Sequence, residues 1–398
     1  MPGLGPEALG ALVHQDFAAA MRAAGHTFRI LTTSTTSTAG TPRRGDTLPT
    51  SSLWRAADAA AAPWLRTRQV LSPAAALARH LRENPGTVDL LHVEVAYPHG
   101  AAATLAADAS GWRGPRVITP MGEDTLVHEP SHYGFRRHAL PRRLVERALR
   151  RATGIRCISP LHERTIAAIA PDTPRRTIPL NVSSAVIDAA HEPAAQRDAR
   201  RREARAALDQ RWNTQGRTVI ISLGRLHPFK GVDVLIRALR MVPDAVLLIA
   251  GPSLVLKASG DEATRLSKLI DQLNLGDRAK LTGPVPPLAA TQLMAAADVL
   301  VVPSHIESLN KVCVEATAVG TRFVVTETTG IAAWAASAPV GVVVPPTDEL
   351  LLANGIVRAL SMPPPDADAI RAFVDPFSPA RVAAAVSAFY RDLTAELR

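Results

Sequence analysis

The sequence predicts an α/β protein built of two Rossmann-like, doubly wound domains. Three observations carry that prediction. Short apolar runs of strand length alternate with longer stretches of helical periodicity. The alternation occurs twice, with turn residues and charge between the two runs near Asn181–Pro193. And 398 residues are too many for one ordinary core. Strands alternating with helices imply parallel sheets covered by helices on both faces.

Taken in order, a helix ending near Gly25 precedes the apolar run Phe28–Leu31, which reads as a strand. Leu90–Val95, Val117–Thr119 and Ile155–Ser159 are further strands. After the break, Ala194–Trp212 is rich in Arg and Ala and reads as a helix that joins or opens the second domain. Strands are then expected at Val219–Leu223, Ala245–Ala250, Lys280–Thr282, Val299–Val302, Phe323–Thr326 and Val340–Val344. Helices are expected at Val232–Arg240, Thr264–Leu273 and Leu288–Ala297. Pro363–Pro365 reads as a hinge before a helix over Pro379–Leu397. The only Asp-x-Asp, Asp366-Ala367-Asp368, sits in this Pro-rich stretch with no strand before it. It reads as a turn and not as a metal site, and no metal is expected.

Hydrophobic residues make up 47% of the chain and charged residues 20%, enough to bury a sizeable interior. No apolar run approaches the ~18–20 residues that span a bilayer. The N-terminus has no basic, apolar, small-residue succession, so no secretory signal is expected. Cys157 and Cys313 stand among apolar neighbours and read as buried free thiols in a reducing cytoplasm. The formal charge of +9 permits partners that carry phosphate, nucleic acid or anionic lipid, and selects none. Arg136, Arg137, Arg142, Arg143, Arg147, Arg150 and Arg151 form the densest basic cluster, on a helix marked by Leu140, Leu144 and Ala148. Two readings of 136–151 stand: a solvated helix face, or a surface for the inner face of a membrane or a phosphorylated acceptor. Zinc-ligand spacings and nucleic-acid-binding fingerprints are absent from the sequence.

Two segments carry the chemistry. In the first, Gly224-Arg225 follows an apolar strand and Lys230-Gly231 precedes a helix. Gly224 allows a tight turn or a close backbone approach. Arg225 and Lys230 set two cations where a diphosphate would lie. Lys230 is the first lysine in a chain that otherwise uses Arg almost everywhere. The bland alternative is a helix-start turn with two surface cations. In the second segment, Pro303-Ser304 through Glu315-Ala316 follows the strand Val299–Val302. Ser308 is placed to cap a helix running through Gly320, whose free N–H groups would bind an anion. Glu307 precedes that helix, and Glu315 would lie roughly 12 Å further along it at ~1.5 Å per residue. One ligand could then meet both, its sugar at Glu307 and its ribose at Glu315. The alternative places Glu315 on a solvated face, but Val312, Val314, Ala316 and Val319 surround it.

These segments resemble the C-terminal domain of the retaining GT-B glycosyltransferases, family 4. That family shows Gly-Arg…Lys-Gly and then two Glu, seven residues between them, in a Pro-Ser…Glu…Glu-Ala context. Leu281-Thr282-Gly283-Pro284-Val285, Thr328-Thr329-Gly330 and Gly341–Asp348 resemble it as well. The likeness is strong over about 218–350. Gly3–Gly5 and Gly10 look like the family's Gly-rich loop, although no strand precedes them. Val117–Asp124 resembles a segment that usually carries a His, contacting the donor sugar, where this chain has Met121. That leaves Glu123, Asp124 and His128, with Gly5, as acceptor-side candidates. Asn181 resembles the Asn of an interdomain Asn-Gly, with Val182 in place of Gly.

The resemblance implies two domains facing a central cleft. Residues 1–188, completed by a helix over 377–398, would serve the acceptor, and 189–376 the donor. It implies a transfer from a nucleotide sugar to a hydroxyl with retention of configuration, and no cofactor or metal. Uridine diphosphate sugars stand ahead of guanosine diphosphate mannose as donors. The acceptor would be a lipid-linked sugar, a glycan or a small natural product. Arg225 and Lys230 would neutralise the departing diphosphate, and Glu307 would orient the sugar. Gly224, Ser308, Leu309, Asn310 and Glu315 would complete the donor site. Three rivals remain: a same-fold enzyme using phosphate or a cyclitol, a catalytically silent nucleotide-sugar-binding protein, and an anion- or membrane-binding protein acting through its Arg-rich helix.

Overall fold

The computed structural model describes residues 6–27, 48, 50–67, 69–214, 216–256, 260–336 and 338–395. Gly5 and the expected strand Phe28–Leu31 lie outside them. The chain packs into two compact units: Phe17–Pro179 with Val382–Arg398, and Leu180–Arg381 with Met1–Asp16.

The first unit is entered by α1 (Pro6–Ala23), α2 (Ser52–Leu65) and α3 (Leu71–Glu83). Then β1 (Leu91–Glu94), β2 (Arg116–Thr119), β3 (Gly154–Cys157) and β4 (Arg175–Thr177) alternate with α4 (Ala101–Ser110), α5 (Ala139–Arg150) and α6 (Pro160–Ile169). The four strands are parallel, in the order β1-β2-β3-β4. Successive side chains of a strand point to opposite faces. Ile118 and Ile155 accordingly pack with Val145, Leu149 and Ile166 on one side. Val117 packs with Phe17, Met21 and Ile178 on the other. That second layer is closed by Val382, Val386, Phe389 and Leu393, which belong to α16 (Pro379–Ala395). Arg156 is buried on this face of β3. It donates through Nε to the Ile178 carbonyl at 3.1 Å, gives another N–H to the Pro179 carbonyl, and lies 5.6 Å from the centre of the Phe17 ring. Burial pulls its guanidinium down to about 10.

The second unit begins with α7 (Ser184–Ala190) and α8 (Ala194–Trp212). It continues through β5 (Thr218–Leu223), α9 (Val232–Ala238), β6 (Ala245–Ala250) and the small hairpin β7 (Val255–Leu256) and β8 (Gly260–Asp261). Next come α10 (Glu262–Gln272), β9 (Ala279–Gly283), α11 (Pro287–Ala296), β10 (Val299–Val302) and α12 (Val312–Ala318). It ends with β11 (Phe323–Thr326), α13 (Ala332–Ala335), β12 (Gly341–Val344), α14 (Glu349–Ser361) and α15 (Ala367–Val374). Six parallel strands make its sheet, in the order β12-β11-β10-β5-β6-β9. All residues of β6, β10 and β11 are buried, as the unbroken apolar sequences of β6 and β10, and that of β11 up to Thr326, require of strands covered on both faces. The chain builds outward from β5 through β6 to β9, then returns to β10 on the other side. The order therefore reverses between β5 and β10, and a doubly wound sheet opens a ligand crevice at such a point, beyond the carboxyl ends of the strands.

Three local expectations are corrected. The helix after β10 does not start at Ser308 or reach Gly320: it spans Val312–Ala318, and Lys311 precedes it without a side-chain cap. Asn310 takes a left-handed φ of 76°, which keeps Ser308–Lys311 out of the helix. Asp366-Ala367-Asp368 is no free turn. Asp366 accepts from the Ala369 N–H at 2.7 Å and caps α15, a helix the Pro-rich composition concealed.

Candidate active site

The crevice at the strand reversal is built by two loops. After β5, Gly224 turns the chain at φ 147°, a conformation that a side chain disfavours. Arg225 follows, exposed, and none of the described residues pairs with it. Pro228–Lys230 forms a single 3-10 turn, in which the Phe229 N–H donates to His227 Nδ1 at 3.2 Å. Gly231 then adopts φ 64°, and a Cβ there would lie 2.2 Å from the Pro303 carbonyl oxygen. That absence of a side chain lets the loop after β5 touch the loop after β10. The His305 N–H donates to the Phe229 carbonyl at 2.8 Å and ties the two together.

The loop after β10 is held from its other side by the chain that leaves β11. The Glu307 N–H donates to the Thr328 carbonyl at 3.1 Å, and Glu307's own carbonyl accepts from Gly330 at 2.9 Å. The Ile331 N–H donates to Leu309 at 2.9 Å. This explains why Thr328-Thr329-Gly330 accompanies Glu307 in the sequence: its backbone positions the carboxylate. Because Ser308–Lys311 is loop, the helical rise between Glu307 and Glu315 does not apply, and Glu315 instead sits in the first turn of α12.

Between the loops lies a shallow, open recess. Gly224, Arg225, Lys230 and Asn310 line it together with the ends of β5 and β10. Lys230 is ion-paired to Glu307, across 77 residues of sequence. Both side chains are mostly buried, and the ammonium also lies 5.1 Å from the centre of the Phe229 ring. Leu309 is buried, Ser308 is buried beside it, and neither lines the recess. Glu315 does not line it either. Burial raises its carboxyl above the ordinary range, with the Lys311 charge acting against that rise. The sequence reading passed over Ser304, which lines the recess with a buried hydroxyl that has no hydrogen-bond partner. The signal available was its place, second after the end of β10.

Of the acceptor-side candidates, Glu123, Asp124 and His128 share one loop of the first unit but not one role. Glu123 is exposed. Asp124 is corrected: it is buried, and its carboxylate accepts from the Ala96, Met121 and Gly122 N–H groups, with the last two at 3.1 and 2.9 Å. It fastens the loop after β2 to the chain after β1 and has no face for an acceptor. Burial raises its carboxyl even against those three hydrogen bonds. His128 is half-buried and bonds Ser131 Oγ at 2.8 Å through Nδ1. In the Arg cluster, Arg147 and Arg151 share Asp108 at 2.8 Å each, and Arg137 pairs with Glu129 at 2.7 Å. Arg136 and Arg150 donate to the Thr125 and Ile169 carbonyls, while Arg142 and Arg143 are exposed. Both thiols are buried, and burial pushes Cys157 up to about 12. No group of three or more His, Cys, Asp or Glu that could hold a metal occurs among the described residues.

Comparison with known proteins agrees with this geometry. The family model for glycosyl transferases group 1 matches residues 205–373, and that for the glycosyl transferase 4-like domain matches 11–181. A D-inositol 3-phosphate glycosyltransferase of Mycobacteroides abscessus is 36% identical over 129 residues, which is 32% of this chain and 28% of the relative. One from Corynebacterium jeikeium is 37% identical over 123 residues, 29% of each chain. These matches thus span under a third of the relatives' length. Among solved structures, sucrose-phosphate synthase from Thermosynechococcus elongatus superposes with a TM-score of 0.69 at 20% identity, over 96% of this chain and 93% of that one. HepE of Anabaena in complex with UDP gives 0.64 at 20% identity, over 81% and 83%. At such identity the likeness is one of fold. The two family models between them take in most of the sequence, and the chain belongs to the group 1 glycosyltransferases, with a 4-like N-terminal half and the GT-B fold.

Proposed function

We propose that this protein transfers a sugar from a nucleoside diphosphate sugar, a uridine diphosphate sugar, to an acceptor hydroxyl, with retention and without a metal. The observation that carries the reading is the recess at the strand reversal, where Arg225 stands free and Lys230 is paired to Glu307. A leaving diphosphate brings negative charge that two fixed cations stabilise without a metal. In this reading Arg225 and Lys230 receive it, and Glu307, released as Lys230 turns to the phosphates, holds the donor sugar. Gly224 and Asn310 offer backbone contacts from the lining, and Ser308 and Leu309 would do so only once a ligand extends past it. Glu315 accepts the ribose hydroxyls, which would repay the cost of its burial. The acceptor hydroxyl attacks from the face the diphosphate leaves. Residues 1–188 with 377–398 would serve the acceptor and 189–376 the donor. Structures solved with UDP in a related fold support the choice of base.

The test is a thermal-shift panel of nucleoside diphosphates and nucleotide sugars on the wild type, Lys230→Ala and Glu315→Ala. A shift with one nucleotide, lost in both variants, is expected. No shift with any nucleotide in the folded wild type would sink the reading.

A second reading concerns the acceptor. Leu53, Trp54 and Trp64 on α2 are 73, 44 and 68% exposed, and its neighbour α5 carries Leu140, 40% exposed, with the exposed Arg142 and Arg143. Apolar and indole side chains next to cations suit the inner face of an anionic membrane and a lipid-linked acceptor. Sedimentation with phosphatidylglycerol vesicles, lost in a Trp54→Ser/Trp64→Ser variant, is expected. Equal sedimentation of wild type and variant would leave the soluble acceptors.

A further inference from the structure

A second basic opening, of about 800 Å³, lies at the other end of the same sheet. Its lining includes Thr218, the first residue of β5, and Asp298 and Arg322, which directly precede β10 and β11. The donor recess lies beyond the opposite ends of β5 and β10, so the two are separated by the length of a strand, roughly 20 Å at ~3.3 Å per residue. Five arginines face this opening, Arg197, Arg201, Arg205, Arg217 and Arg322, against two carboxylates, Asp198 and Asp298.

Part of this charge has a structural task. Arg201 and Arg205 each reach Asp298 at 2.9 Å and donate to the carbonyls of Ala297 and Ala296, at the end of α11. Arg322 donates to the Ala359 carbonyl at 2.8 Å, in the last turn of α14. Cations at helix C-termini satisfy carbonyls that the helix leaves unpaired. That account uses up Arg205 and most of Arg201. Two guanidiniums remain. Arg217 makes one long contact, 3.4 Å to the Asp277 carbonyl. Arg197 is 7% exposed and donates to the Glu192 carbonyl, but its buried Nε has no hydrogen-bond partner. Burial and the neighbouring Arg200 pull Arg197 down, and burial with Arg201 does the same to Arg322. With five guanidiniums against two carboxylates in its lining, the opening carries an excess of positive charge. The other wall is apolar: Leu360, Met362, Pro364 and Pro365 from the Pro-rich segment.

We propose that this groove is a second ligand site, distinct from the donor recess, that binds a compact di- or triphosphate anion, free or carried on an organic group. Arg217 and Arg197, with the part of Arg322 that its Nη1 contacts to the Ala359 and Leu360 carbonyls leave over, would take the phosphate oxygens, and the apolar wall would take any ring the phosphates carry. Asp298 is held by Arg201 and Arg205, and the ligand is proposed as an effector. It binds between α8 and the start of β5 on one side and the end of α14 on the other.

The proposal is tested by calorimetric titration of the full chain with inorganic pyrophosphate and, separately, with adenosine triphosphate. Three proteins are compared: wild type, Arg225→Ala/Lys230→Ala, which strips the recess of its cations, and Arg217→Gln, whose single long contact leaves folding intact. A site in the groove predicts binding that survives in Arg225→Ala/Lys230→Ala and weakens roughly tenfold or more in Arg217→Gln. Tighter binding of adenosine triphosphate than of pyrophosphate would show the apolar wall in use. Binding abolished in Arg225→Ala/Lys230→Ala and unchanged in Arg217→Gln would overturn the proposal, as would no binding of either anion to the wild type. Because the recess cations are absent from the deciding variant, the result does not depend on the donor-site reading.

Discussion

The Lys230–Glu307 pair sets the chemistry of the recess before any ligand arrives. Each side chain neutralises the other while both are mostly buried. Glu307→Gln removes Lys230's partner. It is expected to tighten binding of UDP alone while lowering turnover by roughly 10²–10³, the cost typical of losing one fixed transition-state contact. Calorimetry beside a transfer assay checks both halves. Glu315 carries a second prediction. Its carboxyl is raised by burial, so folding favours the protonated form. The stability linked to this group is fully present below the unfolded pKa and is lost as pH rises through the folded one. Once ionised, the buried Glu315 carboxylate is therefore a burden. Glu315→Gln should raise the melting temperature and weaken nucleotide binding by about tenfold, the loss of one good charged hydrogen bond. Both glutamates stood out in the sequence because a strand, a Pro-Ser and a helix bracket them. Their pairing did not, since no local pattern joins Glu307 to a lysine 77 residues away. The burial of Asp124 was illegible for the same reason: the Ala96 N–H that it accepts from comes from a distant strand end.

At the scale of elements, the strands of the second unit were legible because runs such as Ala245–Ala250 are apolar throughout and must be covered on both faces. Helix starts were harder to read. Ser308 has the chemistry of a cap, yet Asn310 turns left-handed and delays α12 to Val312. Asp366 has the chemistry of a turn and caps a helix. In the first unit, α6 opens with Ser159 accepting from the His162 N–H at 3.0 Å. This fixes His162 in the core, where Nε2 meets Thr125 Oγ1 at 2.8 Å and Nδ1 has no partner. Burial lowers its pKa to about 4. A depressed histidine contributes stability above the unfolded value near 6.5, and that stability is lost as pH falls toward 4. Unfolding free energy should drop by about 1.4 kcal/mol per pH unit across that window. Urea titrations from pH 7 to pH 5 on wild type and His162→Leu check this. The variant should show a shallower slope.

For the whole molecule, the residues that line the recess all belong to the unit of Leu180–Arg381. At a hundredfold excess over its dissociation constant a nucleotide held there should stabilise that unit by about 2.7 kcal/mol. Hydrogen exchange should then slow in β5 and β10 and stay unchanged in β2 and β3. Uniform slowing across both units would refute that localisation.

The unit that begins at Phe17 is closed by Val382, Val386, Phe389 and Leu393, more than three hundred and fifty residues later. On the ribosome its hydrophobic face must wait, uncovered, until those residues emerge, whereas Leu180–Arg381 has by then been delivered whole. The later-made half is thus the first able to finish folding. Chains stalled after Arg381 clears the ribosome and before Val382–Leu393 follows should resist protease over Leu180–Arg381 and be cut readily over Phe17–Pro179. Until release, the first half needs either a chaperone or speed.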